Sequence, residues 1–210
     1  MSLVSLRWPI LFSLWLGFLG WSASLLFQFD NAAGEVASNP RQWPDSSPIV
    51  PERGSWNLLL VLHPQCSCSR ASLAELDAIL SAARPRPKVH LIAYRPVNGK
   101  ETWQDSVPYR AFAGNANATV FEDFDGKESR RFGVKTSGHV LLYDPEGKLR
   151  FEGGITQSRG HVGENPGRRA ILGLLAENSC EHKSTLVFGC AIHGDFPSTL
   201  VTEGGTDVLP

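Results

Sequence analysis

The chain opens on an unbroken apolar stretch, WPILFSLWLGFLGWSASLLFQF, running 22 residues from Trp8 to Phe29 without a charge. At about 1.5 Å per residue, a helix of that length crosses a hydrocarbon core of about 30 Å. The pattern predicts a membrane segment over residues 1–29, with the bilayer met by residues 8–29. Arg7 precedes the run with no acid before it. That charge placement keeps the N-terminus in the cytoplasm and sends the remainder to the periplasm or cell exterior. A cleaved signal peptide is the rival reading. Its apolar core is shorter, about 7–15 residues, and is followed by a small-x-small site. Asn31-Ala32-Ala33 and Glu35-Val36-Ala37 match that site poorly. A buried structural helix is the third reading, disfavoured because the run is apolar all round.

Residues 30–54 carry Pro40, Pro44, Pro48 and Pro51 among Asn, Ser and charged residues, a composition that predicts an extended, semi-rigid linker. Patterned sequence then resumes. Trp56–Leu62 is a short continuous apolar run, the form of a buried strand. Leu73, Leu76, Leu80 and Ala83 recur at helical spacing within Ala71–Ala83, and Val89–Tyr94 reads as a second buried strand. Arg95–Asn117 is weakly patterned and is expected to form a helix or lid. A third strand over Ala118–Glu122, a short helix over Lys127–Phe132, and a hairpin turning at Asp144-Pro145-Glu146-Gly147 follow. Ala170–Ala176 is the last helix, with Asn165-Pro166 at its start. The alternation predicts an α/β layer structure over residues 55–178, with residues 179–210 as a C-terminal extension whose end is a loose tail.

Length and composition suit one globular domain with extensions. A net charge of −1 without a basic run leaves no electrostatic footprint for nucleic acid. There is no P-loop, no GxGxxG before a helix, no GxSxG elbow and no pair of CxxC motifs. Asp123 and Asp125 precede Gly126 in a turn, which accounts for them without acid–base chemistry.

The four cysteines change the picture. HPQCSCSRASLAEL places Cys66 and Cys68 where the first strand hands over to its helix. The partial positive charge and free N–H groups of a helix N-terminus favour thiolate over thiol. A thiolate attacks disulfides and binds soft metals. At this junction the chain resembles the thioredoxin-like superfamily, and FGVKTSGHVLLYDPEGKLRFEGG is similar to the segment leading through the cis-proline loop into the hairpin. HPxC-x-CSRAS, GGITQSRGH and the late VFGC together resemble a narrower group of membrane-anchored RedB-like proteins. The resemblance implies a thioredoxin-like fold, a central mixed sheet with flanking helices, and thiol–disulfide exchange on extracytoplasmic protein thiols.

Two departures qualify that template. Thioredoxins carry CxxC, whereas one residue separates Cys66 from Cys68. With Cys66 as the nucleophile, Ser69 stands at the resolving position, free to cap the helix, and Cys68 becomes the expected resolving thiol. Ser137-Gly138-His139 replaces the cis-proline, so substrate docking is altered and metal becomes a competing function: copper or zinc held by Cys66, Cys68 and His139, with His63 as a further candidate ligand. A third possibility is a domain used only for interaction. The loop from Gly153 to His161 flanks the site in the template, making Arg159 and His161 candidates to stabilise a thiolate. Their alternative is an ordinary polar loop. Cys180 and Cys190 suggest a structural disulfide, with Cys190 folding back toward Cys66 as the competing arrangement. His182 and His193 are read as solvent-exposed.

Overall fold

The computed structural model describes residues 3–64, 66–95 and 117–192. The expected helix or lid after the second strand therefore lies, at residues 96–116, outside the described residues, as does the tail from residue 193 onward. Helix α1 (Leu3–Asn31) contains a span, Trp8–Asn31, long and apolar enough to cross a membrane. Trp8, Phe12, Trp15, Phe18 and Trp21 are all exposed along it, and aqueous solvent is a poor partner for so continuous an apolar surface.

The domain is a five-stranded sheet built from β1 (Asn57–Leu62), β2 (Lys88–Arg95), β3 (Ala118–Phe124), β4 (His139–Tyr143) and β5 (Leu149–Gly154), in the spatial order β3-β2-β1-β4-β5. Strands β1, β2 and β3 run parallel; β4 is antiparallel to β1 and to β5. Among the described residues three helices flank it: α2 (Cys68–Ala82), α3 (Lys127–Arg131) and α4 (Pro166–Glu177). Strand β1 is central and every residue in it is buried, which is why its sequence is a continuous apolar run. Its side chains alternate between two cores. Leu58, Leu60 and Leu62 pack with Leu73, Leu76 and Ile79 of α2 and Ile171 and Leu174 of α4. Leu59 and Val61 pack on the other face with Trp43, Ile49, Phe132 and Tyr143. This mixed sheet with flanking helices is the expected thioredoxin-like α/β fold.

Helix α4 begins as its sequence implies. Asn165 caps it by accepting from the Arg168 N–H at 2.8 Å, and Pro166 takes the first helical position. Replacing Asn165 with Ala is expected to cost about 1 kcal/mol. Thermal unfolding should register this as a fall of about 2–4 °C in midpoint.

Residues 32–56 form no helix or strand, as their prolines dictate, yet they are not a free spacer. Trp43 and Ile49 are buried against the sheet, and the Trp43 indole N–H donates to the Ile49 carbonyl at 3.0 Å. Asn39 reaches the Phe132 carbonyl at 2.7 Å. Apolar anchors and hydrogen bonds to the domain together hold this extended, proline-set path on the protein surface.

The C-terminal extension is also docked. Glu152 of β5 receives the Thr185 N–H at 3.2 Å and donates its own N–H to Lys183 O at 3.1 Å, so the extension covers the sheet edge. Further on, Ala191 forms an antiparallel bridge with Thr136. These two moorings set the course of the intervening extended segment. All four cysteines are free thiols, so the expected Cys180–Cys190 disulfide is absent: Cys180 packs beside the α2–α4 core, while the segment carries Cys190 elsewhere.

Candidate active site

Past Leu62 the chain turns sharply into α2. The Cys66 N–H donates to His63 O, and the Ser69 N–H to Cys66 O, both at 3.0 Å. Ser69 does not cap the helix. The cap position is Ser67, whose side chain makes no capping bond, whereas the Ser69 hydroxyl donates to His63 O at 2.9 Å. Ser69 thus locks the turn from within. His63 donates its N–H to the Ser137 hydroxyl at 2.9 Å, and its ring stacks on Tyr94 with centroids 5.3 Å apart. The loop in place of the cis-proline is drawn in by the Gly138 N–H, which donates to Val61 O at 2.8 Å. Gly138 has φ +87°, and a β-carbon there would lie 2.9 Å from the Ser72 hydroxyl of α2. Glycine meets both requirements: the left-handed backbone and the close approach to the helix.

Three cysteines meet at this corner. The Cys66 sulfur accepts from the thiols of Cys190 and Cys68 and from the backbone N–H of both residues. The Cys190 thiol is the strongest influence, and together these donors outweigh the burial that opposes ionisation, lowering the Cys66 pKa from 9.0 to about 5. Cys66 is therefore a thiolate at neutral pH. Burial and the neighbouring Cys66 charge push Cys68 upward, while Arg159 and the Gly160 N–H partly counter them. Donation to Cys66 likewise drives the Cys190 thiol strongly upward. The result is one thiolate flanked by two proton-bearing thiols.

Among the expected residues, Cys66, Cys68 and Arg159 converge. Arg159 also donates to Gly189 O at 2.8 Å and lies over the Phe29 ring, with its own backbone N–H on Asp30 O at 3.0 Å. The site therefore adjoins the end of α1. His161 follows Arg159 but is solvent-exposed and is not among the groups acting on the thiols. His139 is fully buried, and strand alternation puts it on the Leu141 and Tyr143 face, opposite α2. Burial lowers its pKa to about 4. Among the described residues, no three His, Cys, Asp or Glu side chains are grouped to hold a metal ion. The copper set of Cys66, Cys68 and His139 is thus not assembled, nor is one including His63. Cys190 was legible only as an alternative, and the VFGC tetrapeptide was its sole local signal.

No family model and no curated protein matches this sequence. Solved structures do. An uncharacterized conserved protein from Geobacillus kaustophilus aligns with TM-score 0.53 at 16% identity, covering 80% of this chain and 94% of that one. A hypothetical protein from Sinorhizobium meliloti aligns with TM-score 0.51 at 13% identity, covering 78% and 97%. The exposed lipoprotein thioredoxin of Streptococcus pneumoniae aligns with TM-score 0.40 at 26% identity, covering 60% and 86%. What this chain shares with the first two, across most of their length, is the fold alone; in this chain the strand order and helix placement are those of a thioredoxin-like α/β fold.

Proposed function

We propose that this protein is a membrane-tethered thiol–disulfide oxidoreductase acting on protein thiols or disulfides outside the cytoplasm through its CxC motif, in keeping with its resemblance to RedB-like proteins. The observation that carries the reading is the buried Cys66 thiolate, held near pKa 5 by four sulfur and backbone donors at the start of α2. A structural cysteine has no need of such donors; an attacking one does. The thiolate sulfur attacks one sulfur of a partner disulfide, forming a mixed disulfide and releasing the other partner sulfur as thiolate. Attack by a second protein thiolate on Cys66 then frees the partner and leaves an internal disulfide. Two electrons pass from protein to partner, and the reverse sequence oxidises the partner. Helix α1 supports a tether, and the contacts of Phe29 and Asp30 with Arg159 support a site close to the bilayer.

The test uses the full chain in detergent. Iodoacetamide labelling of Cys66 followed by mass spectrometry should show a rate that holds above about pH 6 and falls by half near pH 5. Cys66→Ser should reduce exchange with a glutathionylated peptide to the uncatalysed rate. A Cys66 midpoint near 9, with exchange unaffected in Cys66→Ser, would overturn the reading.

A further inference from the structure

The segment that brings Cys190 to Cys66 arrives as an extended stretch of chain, fastened by isolated bridges rather than by a ladder. Ala191 pairs antiparallel with Thr136. The Ser137 N–H donates to Cys190 O at 2.9 Å, and the Ile192 N–H donates to Lys135 O at 2.8 Å. The same segment is fixed upstream, where the Gly34 N–H donates to Val187 O at 2.8 Å, and Arg159 holds Gly189 O. Residues 135–137 are the backbone immediately before Gly138, at the mouth of the site. Any extended partner segment presenting a cysteine to Cys66 needs those same N–H and C=O groups, or must do without them. They are already filled by this chain.

Gly189 shows how closely the segment is fitted. A β-carbon at that position would overlap the Ser137 carbonyl oxygen, which is backbone and has no room to yield. The residue before Cys190 must therefore be glycine for the segment to seat. Phe188 and Val187 on the other side of it are buried, and Ile192 enters the core with Trp43 and Phe132. The segment is packed at both ends, with its cysteine suspended over Cys66 between them.

We propose that the extended segment from Leu186 to Ile192 is a built-in stand-in for substrate, and that Cys190, rather than Cys68, is the thiol that closes the redox disulfide with Cys66. This rests on the exchange reading above and specifies its second step. In the oxidative direction, the Cys66 thiolate attacks a disulfide such as oxidised glutathione, forming a Cys66–glutathione bond and expelling glutathione thiolate. Cys190 then loses its proton to solvent or to that thiolate. Its sulfur attacks the Cys66 sulfur, a Cys66–Cys190 bond forms, and the second glutathione leaves as thiolate. The protein loses two electrons and two glutathione molecules are produced.

The geometry favours Cys190 over Cys68. Cys190 comes from a separate segment, so its bond to Cys66 draws together two elements that already touch. Cys68 opens α2, and Ser67 between the two cysteines is already in right-handed helical conformation, φ −59° and ψ −30°. Closing that small ring pulls on the helix start. Cys68 contributes differently, by giving its N–H and S–H to the Cys66 thiolate. The partner class follows as well: an extended cysteine-bearing segment with a glycine just before its cysteine, which enters by displacing residues 186–192.

The test exposes the full chain, reduced and in detergent, to oxidised glutathione, then maps disulfides by mass spectrometry after acid quenching. Wild type and Cys68→Ser should both accumulate Cys66–Cys190, with little glutathione left on Cys66. Cys190→Ser should instead retain the Cys66–glutathione adduct. A Cys66–Cys68 disulfide at wild-type yield in Cys190→Ser, with the adduct persisting in Cys68→Ser, would overturn the assignment and leave the exchange reading intact. Cys66 left as a free thiol in all three proteins, with neither a glutathione adduct nor an internal disulfide, would defeat the exchange reading itself. Gly189→Ala keeps every cysteine and separates the segment from the thiol. It should slow closure of the internal disulfide at least about tenfold and speed capture of Cys66 by a glutathionylated Gly-Cys peptide; unchanged rates would overturn the role of the segment.

Discussion

Lowering the pH from about 7 to about 4 is expected to destabilise the folded domain by about 3 kcal/mol for each of two buried histidines. His90 and His139 both have folded pKa values near 4, against 6.5 for the free side chain, and in each case burial is the leading cause. His90 donates from Nε2 to Asn57 Oδ1 at 3.0 Å, and both ring nitrogens of His139 lack a hydrogen-bond partner among the described residues. The unfolded chain takes up a proton at each as pH falls through 6.5, while the folded chain resists until about 4. The unfolded state therefore binds more protons across that window, and stability is lost as pH falls through it. Set against a total of about 5–15 kcal/mol, such a loss is large enough to unfold the domain. The Cys66 thiolate acts with the same sign, because its depressed pKa also withdraws stabilisation as pH falls toward about 5. Urea midpoints should therefore be compared in a Cys66→Ser background. There, His139→Leu should remove about half of the pH dependence and cost little at pH 7. An unaltered dependence in that variant would show that His139 is not the titrating group.

His139 also shows where reading a sequence runs out. Its neighbour Gly138 lies against Ser72 on the α2 side, so the resemblance correctly brought that loop to the cysteines. One residue later, the pleat of β4 turns the side chain to the opposite face. Proximity of a loop does not settle which of its residues face inward. The α/β layers were more legible, because strands buried on both faces read as apolar runs and Asn165-Pro166 announces a helix. Helix α2 begins at Cys68, three residues before the expected Ala71, since Cys, Ser and Arg at its start have no periodicity to reveal it. The packed path of residues 32–56 was hidden by its prolines, which specify extension but not docking. Cys190 lies far from Cys66 in sequence, and local pattern carries no information on a segment whose partners at residues 34 and 135–137 are themselves distant in sequence.

Glu75→Leu is expected to cost about 3–5 kcal/mol, the range for breaking a buried, hydrogen-bonded charge pair. Glu75 is fully buried on α2. Its carboxylate accepts from the Gly163 N–H at 2.6 Å, from Asn165 Nδ2 at 3.0 Å and from Arg168 Nη1 at 3.0 Å. Removing it takes the acceptor from the Gly163 N–H and one of two acceptors from both Asn165 Nδ2 and Arg168, the latter a guanidinium whose side chain is only 22% exposed. Glu75→Gln keeps the size and one acceptor, so its loss should be smaller. Glu164 also pairs with Arg168, at 2.8 Å, but lies on the surface, where solvent screens the pair. Its replacement by Ala should leave the melting curve unchanged. The consequence reaches the cysteines through the chain itself. Glu75 fastens the far end of the loop that carries Arg159 and Gly160, the two groups that counter the upward push on Cys68. When that end is released, Cys68 should become harder to ionise and therefore slower to alkylate at a given pH, whereas Cys66, held by Cys190 and Cys68, should keep its midpoint near 5. A Glu75→Leu protein that melts lower but labels at Cys68 as wild type does would show the Arg159 loop to be seated by the C-terminal segment, through Gly189, rather than by α2.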